Sequence, residues 1–270
     1  MDPLIVTVAA VGAELTKEQQ PHLPITPEEL AADASACREA GASIYHLHVR
    51  DAEGRPTMDV EIFRAAHDAI RDATDVIVQF TTGGSVHDDE AARSAPLGLR
   101  PEMATLTTGT VNFGDDVFMN PAPLVRRLHE KMMSLSVQPE FEIFDVGMIA
   151  NAERVYETSG ATHHRHYDFV LGVPGGLPAY DDAIQFLAAH LPEGATWSAT
   201  GVGRAHLPVA REAIAAGGNV RTGFEDVRYF EPGRLAESNA QLIARVADMA
   251  RAAGREIASP DVARELLGLA

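Results

Sequence analysis

A closed (β/α)8 barrel, the TIM-barrel architecture in a single domain, is the fold class the sequence predicts, and three observations predict it. Strand-like and helix-like segments alternate along all 270 residues, the pattern of parallel strands joined by helical crossovers. Eight such units emerge, at about 30 residues each, the length of one strand-and-crossover unit. No Gly/Ser linker, charge block or low-complexity run divides the chain, and barrels of this length form one domain. The domain runs over residues 1–270, with a helical tail from about 238 to 270. An open doubly wound sheet is the alternative.

The elements follow in order. Leu4 to Ala10 reads as the first strand. "TPEELAADASACREAG" is a helix with its boundaries written in: Thr26 caps it, Pro27 occupies the first turn, Glu29 completes a capping box and Gly41 ends it. Ser43 to Val49 is the second strand, a helix near 59–72 follows, and Val76 to Thr81 is the third strand, ending in "TTGG". Met103 to Thr107 is the fourth, and a helix after Pro121 runs to about Lys131. Ser134 to Ile143 is the fifth strand, interrupted by Pro139, which cannot donate to a ladder. Asp168 to Val173, Thr196 to Thr200 and Asn219 to Thr222 are the last three, with helices near 180–191 and 208–216 between them. The helix 238–253 closes the ring, and "SPDVARELLG" adds a short capped tail.

Composition narrows the function. A 46% hydrophobic content supports an ample core, and no segment reaches the roughly 18 consecutive apolar residues of a membrane span. The apolar run from Leu4 to Val11 is short, lacks a basic flank and does not read as a secretory signal. Cys37 is the only cysteine; it reads as an inert buried thiol, and a reducing cytoplasm is the expected setting. A net charge of -17 repels phosphate backbones and anionic lipid, which argues against nucleic-acid and membrane partners. Any polyanionic ligand then needs local cations.

The chemistry begins at "SIYHLHVRD", where His46 and His48 share one face of the second strand while Tyr45, Leu47 and Val49 form an apolar opposite face. In a barrel the C-terminal strand ends converge on the site, and a paired H-x-H there is a recurrent two-ligand geometry. Two buried, hydrogen-bonded core histidines are the structural alternative. A catalytic metal wants a third protein ligand, and Glu225 in "RTGFEDVRYF" is the best candidate, with Asp226 a close competitor. Arg221 lies four residues before Glu225 and shares its parity if the strand continues through Gly223, which would bring its guanidinium to the same mouth.

Seven motifs in this order, "VTVAAVGAE", "PITPEEL", "IYHLHVRD", "TTGG", "PEMATLTTGTVNFGDD", "LGVPGG" and "RTGFEDVRYF…AESNAQL", resemble the β-keto acid cleavage enzyme family across nearly the whole chain. Within the family they are most similar to the branch that cleaves 3-keto-5-aminohexanoate in lysine fermentation. The resemblance implies a zinc-dependent barrel, expected as a tetramer. It joins a β-keto acid to acetyl-CoA and releases acetoacetate and a new acyl-CoA, here 3-aminobutyryl-CoA, by CoA transfer and retro-Claisen cleavage. It makes His46, His48 and Glu225 the zinc ligands and Asp226 the general base with Arg221 as its partner.

Substrate contacts are implied in the same way. Thr81 stands where the family has serine, keeping the hydroxyl and adding a methyl that restricts its rotamer. Gly83 and Gly84 allow close backbone approach to an anion. Thr105 matches the family threonine on strand four, and Thr107 stands where the branch often has asparagine. Glu14, after strand one, suits an ammonium tail, and Glu142, on the same face as Glu140, could add to it. "GVPGG" and "ATGVGRAH", with Arg204, are the expected resting place of the CoA arm. His163, His164 and His166 precede strand six and so belong to the opposite end of the barrel, away from the chemistry. Dehydrocarnitine, β-ketoadipate and 3,5-dioxohexanoate are the alternative substrates, and a barrel metallohydrolase is the alternative enzyme class.

Overall fold

A computed structural model describes residues 1–269. Eight parallel strands close into a barrel in chain order: β1 (Val6–Ala9), β2 (Ile44–Leu47), β3 (Ile77–Phe80), β4 (Met103–Thr107), β5 (Gln138–Ile143), β6 (His166–Leu171), β7 (Thr196–Gly201) and β8 (Asn219–Thr222). β8 pairs with β1, Val6 opposite Val220, and this ladder closes the ring. The expected closed (β/α)8 barrel is therefore the fold, and the barrel sheet itself has no open edge.

The crossovers are α1 (Pro27–Ala40), α2 (Val60–Ala73), a short α3 (Glu90–Ser94) continued by a 3-10 segment, α4 (Ala122–Leu135), α5 (Gly147–Ser159), α6 (Ala183–Ala188), α7 (His206–Ala216) and α8 (Asn239–Ala252). Local chemistry explains the best-defined boundary: Thr26 Oγ1 accepts the Glu29 amide, and the Glu29 carboxylate accepts the Thr26 amide in return. Asp59 caps α2 more simply, its carboxylate accepting the Glu61 and Ile62 amides.

Two boundaries differ from expectation. α4 extends to Leu135 and ends at Ser136, whose left-handed φ of 58° breaks the helix, so β5 begins at Gln138 rather than Ser134. Pro139 is accommodated inside β5, its carbonyl and neighbours holding the parallel register opposite Ala104. β6 begins two residues early, at His166, and ends at Leu171.

Strand alternation sorts the barrel into layers. Val8, Tyr45, Leu47, Val78, Phe80, Leu106, Phe141 and Phe169 face outward and join the main core with the helices. The opposite parity points inward. Ile5, Ile44, Ile77 and Met103 form an apolar plug at the N-terminal end, sealed by Ala263 and Leu267 of α9 (Pro260–Leu267). Above the plug the interior turns polar, with Gln79, Thr105, Glu140, Asp168, Ser198 and Arg221 all buried. The tail thus closes the bottom, and the polar interior faces the top. There three antiparallel hairpins (49–57, 111–118 and 229–235) rise around the mouth.

Candidate metal centre and substrate cleft

His46, next to last in β2, points inward, and His48 follows just beyond β2 on the same side, the ring centroids 5.1 Å apart. Each presents Nε2 to the same atom, Glu225 Oε2, at 3.8 Å. The Nδ1 of His46 donates to Gln79 Oε1 at 2.8 Å, directly across the β2–β3 ladder. That bond puts the proton on Nδ1 and leaves the Nε2 lone pair free. Burial holds both imidazoles neutral, lowering His46 and bringing His48 down to about 3 despite the nearby Glu225 carboxylate.

Burial alone would raise Glu225, but the Arg221 guanidinium outweighs it and brings its pKa down to about 2. Its Oε1 accepts from Arg221 Nη2 at 2.5 Å. Its Oε2 is buried and has no hydrogen-bond partner. An ionised oxygen left unpaired beside two neutral imidazoles is the donor set of a cation site, and these three side chains could hold a metal ion.

Glu225 reaches this point because the chain turns. β8 stops at Thr222, and Asp226 N and Val227 N both bond to Gly223 O. Uninterrupted alternation would send Glu225 and Asp226 to opposite faces; the turn lets both look into the mouth. Gly223 is required because a Cβ there would lie 2.0 Å from Ala9 O. Gly12, at φ +63°, is required because a Cβ would lie 2.7 Å from Glu225 Cγ.

Arg221 organises the acids. It donates to both Asp226 oxygens, at 3.2 and 3.1 Å, and Nη1 reaches Glu142 Oε1 at 3.4 Å. Burial raises Asp226 to about 6 against the pull of Arg221, and Glu225 adds to the rise. Burial likewise lifts Glu142 to about 7. A carboxylate poised there can accept and return a proton near neutrality.

His46, His48, Glu225, Asp226, Arg221, Glu14, Thr81, Gly83 and Gly84 all line one cleft at the barrel mouth. Thr81 Oγ1 accepts the amides of Gly83 and Gly84, at 2.9 and 3.3 Å, so those amides are occupied and the hydroxyl proton is free to donate into the cleft. Glu14 is exposed at the rim. Thr105 and Thr107 do not reach the lining. Thr105 Oγ1 accepts from Thr82 N at 3.4 Å, and Thr107 touches the site only through Glu142 Oε2, at 2.5 Å. Arg204 lies in a neighbouring cavity. Gly175 of "GVPGG" serves packing, since a Cβ there would strike Asn112 O at 2.1 Å. His166 is buried at the N-terminal end, 3.3 Å from Glu140 Oε2, while His163 and His164 are partly buried nearby.

Sequence reasoning missed the apolar walls, Phe113, Phe118, Phe144, Val170 and Val173. The signal was present in "VNFGDDVF", two short apolar runs around Gly114, which form a hairpin over the mouth. Arg93 was missed as well; it is buried and donates to Thr82 O, Met119 O and Asn120 Oδ1, tying that hairpin to the loop after β3.

Comparison with known proteins points the same way. Residues 3–269 match the model of a family described as beta-keto acid cleavage enzyme. The chain is 46% identical over its whole length, and 99% of the relative's, to a 3-keto-5-aminohexanoate cleavage enzyme of Fusobacterium nucleatum. It is 36% identical, over 99% of this chain and 95% of the other, to a 3-oxoadipate:acetyl-CoA acetyltransferase of Cupriavidus necator. Among solved structures, apo ObcA superposes with a TM-score of 0.79 at 18% identity, covering 92% of this chain and 66% of that one, a likeness of fold.

Proposed function

Because the chain belongs to the beta-keto acid cleavage enzyme family, we propose that it is a zinc-dependent acyltransferase that condenses 3-keto-5-aminohexanoate with acetyl-CoA, giving acetoacetate and 3-aminobutyryl-CoA. The observation that carries this reading is the orphaned Glu225 Oε2 facing two imidazole Nε2 atoms, with a near-neutral carboxylate, Asp226, next in the chain. Zinc held by His46, His48 and Glu225 would supply Lewis acidity at the oxygens of the β-keto acid.

The chain's own groups do the rest. Asp226 removes a proton from the carbon between the two carbonyls, and its two bonds to Arg221 aim it. The resulting carbon nucleophile attacks the acetyl carbonyl and expels CoA thiolate. The thiolate adds to the substrate-derived ketone, the carbon–carbon bond breaks to release acetoacetate, and the proton on Asp226 returns to the departing carbon. Thr81 orients the substrate with its free hydroxyl proton, held in place by the Gly83 and Gly84 amides. The apolar walls exclude water, which protects the thioester from hydrolysis.

Two acids favour an ammonium tail over a second carboxylate. Glu14 at the rim would repel the far carboxylate of 3-oxoadipate, and Glu142, lining the cleft, offers that carboxylate no cation. Thr107 contributes by its bond to Glu142, and Thr105 by holding the Thr82 amide beside Thr81. The enzyme is assigned to the lysine-fermentation step and to the cytoplasm as a homotetramer; light scattering tests the assembly. No described helix is long and apolar enough to cross a membrane.

The decisive experiment mixes the protein, acetyl-CoA and a panel of β-keto acids, and identifies the new CoA ester by mass. 3-Aminobutyryl-CoA is the expected product. Acid consumption that proceeds unchanged without acetyl-CoA would sink the reading in favour of a metallohydrolase.

A further inference from the structure

A second cavity opens beside the cleft and shares a wall with it, formed by Leu15, Val202, Glu225 and Asp226. It has a volume of about 960 Å³ and opens to solvent between the start of α7 and the hairpin 229–235. Its chemistry differs from the cleft's. Arg204, Arg211 and Arg228 line it, and among the described residues none of the three has an acidic oxygen within 4.0 Å. The acids in its lining are engaged elsewhere, Glu225 and Asp226 with Arg221 and Glu231 with Arg234. On a chain of net charge -17, three unpaired guanidiniums on one cavity reverse the local field.

Two further features point to a phosphorylated, partly aromatic ligand. The 11-residue α7 begins here with no side-chain cap, and its dipole adds to the positive potential of this wall. The floor is apolar, with Phe224, Val227 and Phe230, and Tyr229 stands 42% exposed at the edge with the Arg228 guanidinium 5.0 Å from its ring.

We propose that this cavity seats the 3′-phospho-ADP end of acetyl-CoA, with Arg204, Arg211 and Arg228 on the phosphates and Tyr229 and Phe230 against the adenine. The pantetheine arm then passes Leu15 and Val202, and the thioester arrives beside Asp226. The inference rests on the reading above that acetyl-CoA is the co-substrate, and it assigns two arginines that the glycine-rich loops alone did not suggest.

Steady-state kinetics test it. Arg211→Gln and Arg228→Gln should each raise KM for acetyl-CoA roughly tenfold, the loss of one charge-assisted contact, with kcat and the β-keto acid KM unchanged. Arg71→Gln on α2, an equal loss of charge far from the cavity, should change nothing. S-acetylpantetheine lacks the nucleotide, so its KM should be the same in wild type and variants. 3′,5′-ADP should inhibit the wild type competitively against acetyl-CoA and weaken in both variants. Unaltered acetyl-CoA KM and 3′,5′-ADP inhibition in the double variant would overturn the subsite while leaving the activity standing. Non-competitive inhibition by 3′,5′-ADP would also overturn it, in favour of a separate effector nucleotide. Wild-type protein that forms no new acyl-CoA from any β-keto acid would overturn the parent reading and this subsite with it.

Discussion

Arg221 and Asp226, five residues apart, meet through two hydrogen bonds of 3.2 and 3.1 Å, while the same guanidinium holds Glu225 at 2.5 Å. One buried cation thereby fixes both the proposed base and the proposed third metal ligand. Their titrations lie apart because burial and the Glu225 charge raise Asp226 to about 6 against Arg221, whereas Arg221 brings Glu225 down to about 2.

Asp226→Asn keeps the shape of that arrangement and removes the proton acceptor. Turnover should fall by about 10² to 10⁴-fold, the usual worth of a positioned base. Metal content, measured by atomic emission, should stay at the wild-type value. Undiminished turnover would assign the proton transfer to another group.

Gln79 orients His46 from behind through its Oε1. Gln79→Ala should weaken metal affinity by about 10 to 100-fold, read by competition with a chromogenic chelator. An unchanged affinity would mean that the His46 ring is held by packing alone.

Gly12 leaves room for the Glu225 side chain. Gly12→Ala should push Glu225 off the two imidazoles and lower metal affinity by about tenfold, in addition to roughly 1 kcal/mol of backbone strain at positive φ. Chelator competition together with thermal unfolding separates the two effects. Wild-type metal affinity in a folded variant would contradict the packing argument.

Glu14 faces the cleft from the rim. Glu14→Gln should raise KM for an ammonium-tailed β-keto acid by about five- to tenfold, one exposed charge-assisted contact, and leave KM for acetyl-CoA unchanged. A lower KM for the ammonium substrate would favour an anionic tail.

Asp33 lies outside the cleft and accepts from Tyr45 Oη and Asn239 Nδ2, both at 3.0 Å. Burial raises its pKa to about 6 against those hydrogen bonds. The fold thus favours the protonated acid. That contribution is fully present below the unfolded value near 3.8 and is lost as pH rises through about 6. Asp33→Asn removes the titration, so the stability of the variant relative to wild type should increase between pH 4 and pH 7, by at most about 3 kcal/mol. Denaturant unfolding across that range measures it, and a flat difference would show that Asp33 titrates normally.

Much of the site was legible because barrel strands turn sequence parity into direction. His46 and His48 share a face by alternation, and their strand end marks the mouth. Glu142 and Glu140 also share a parity, yet they serve different levels: Glu140 lies beside His166 toward the bottom, while Glu142 reaches Arg221. Depth along a strand depends on where the ladder starts, and β6 began two residues before its expected position.

By itself the sequence determined the alternation of eight strands with helices, the capped start of α1, the H-x-H pair and the absence of any linker, because each follows from periodicity or from contacts a few residues apart. Only the tertiary structure decided that Asp226 looks into the mouth beside Glu225, because a turn at Gly223, forced by the close approach of Ala9, cancels the strand alternation. It also decided that Gly83 and Gly84 hold Thr81 rather than an anion, and that Arg204, Arg211 and Arg228 gather on one cavity. Those facts depend on contacts between segments that are distant along the chain, and no local pattern records them.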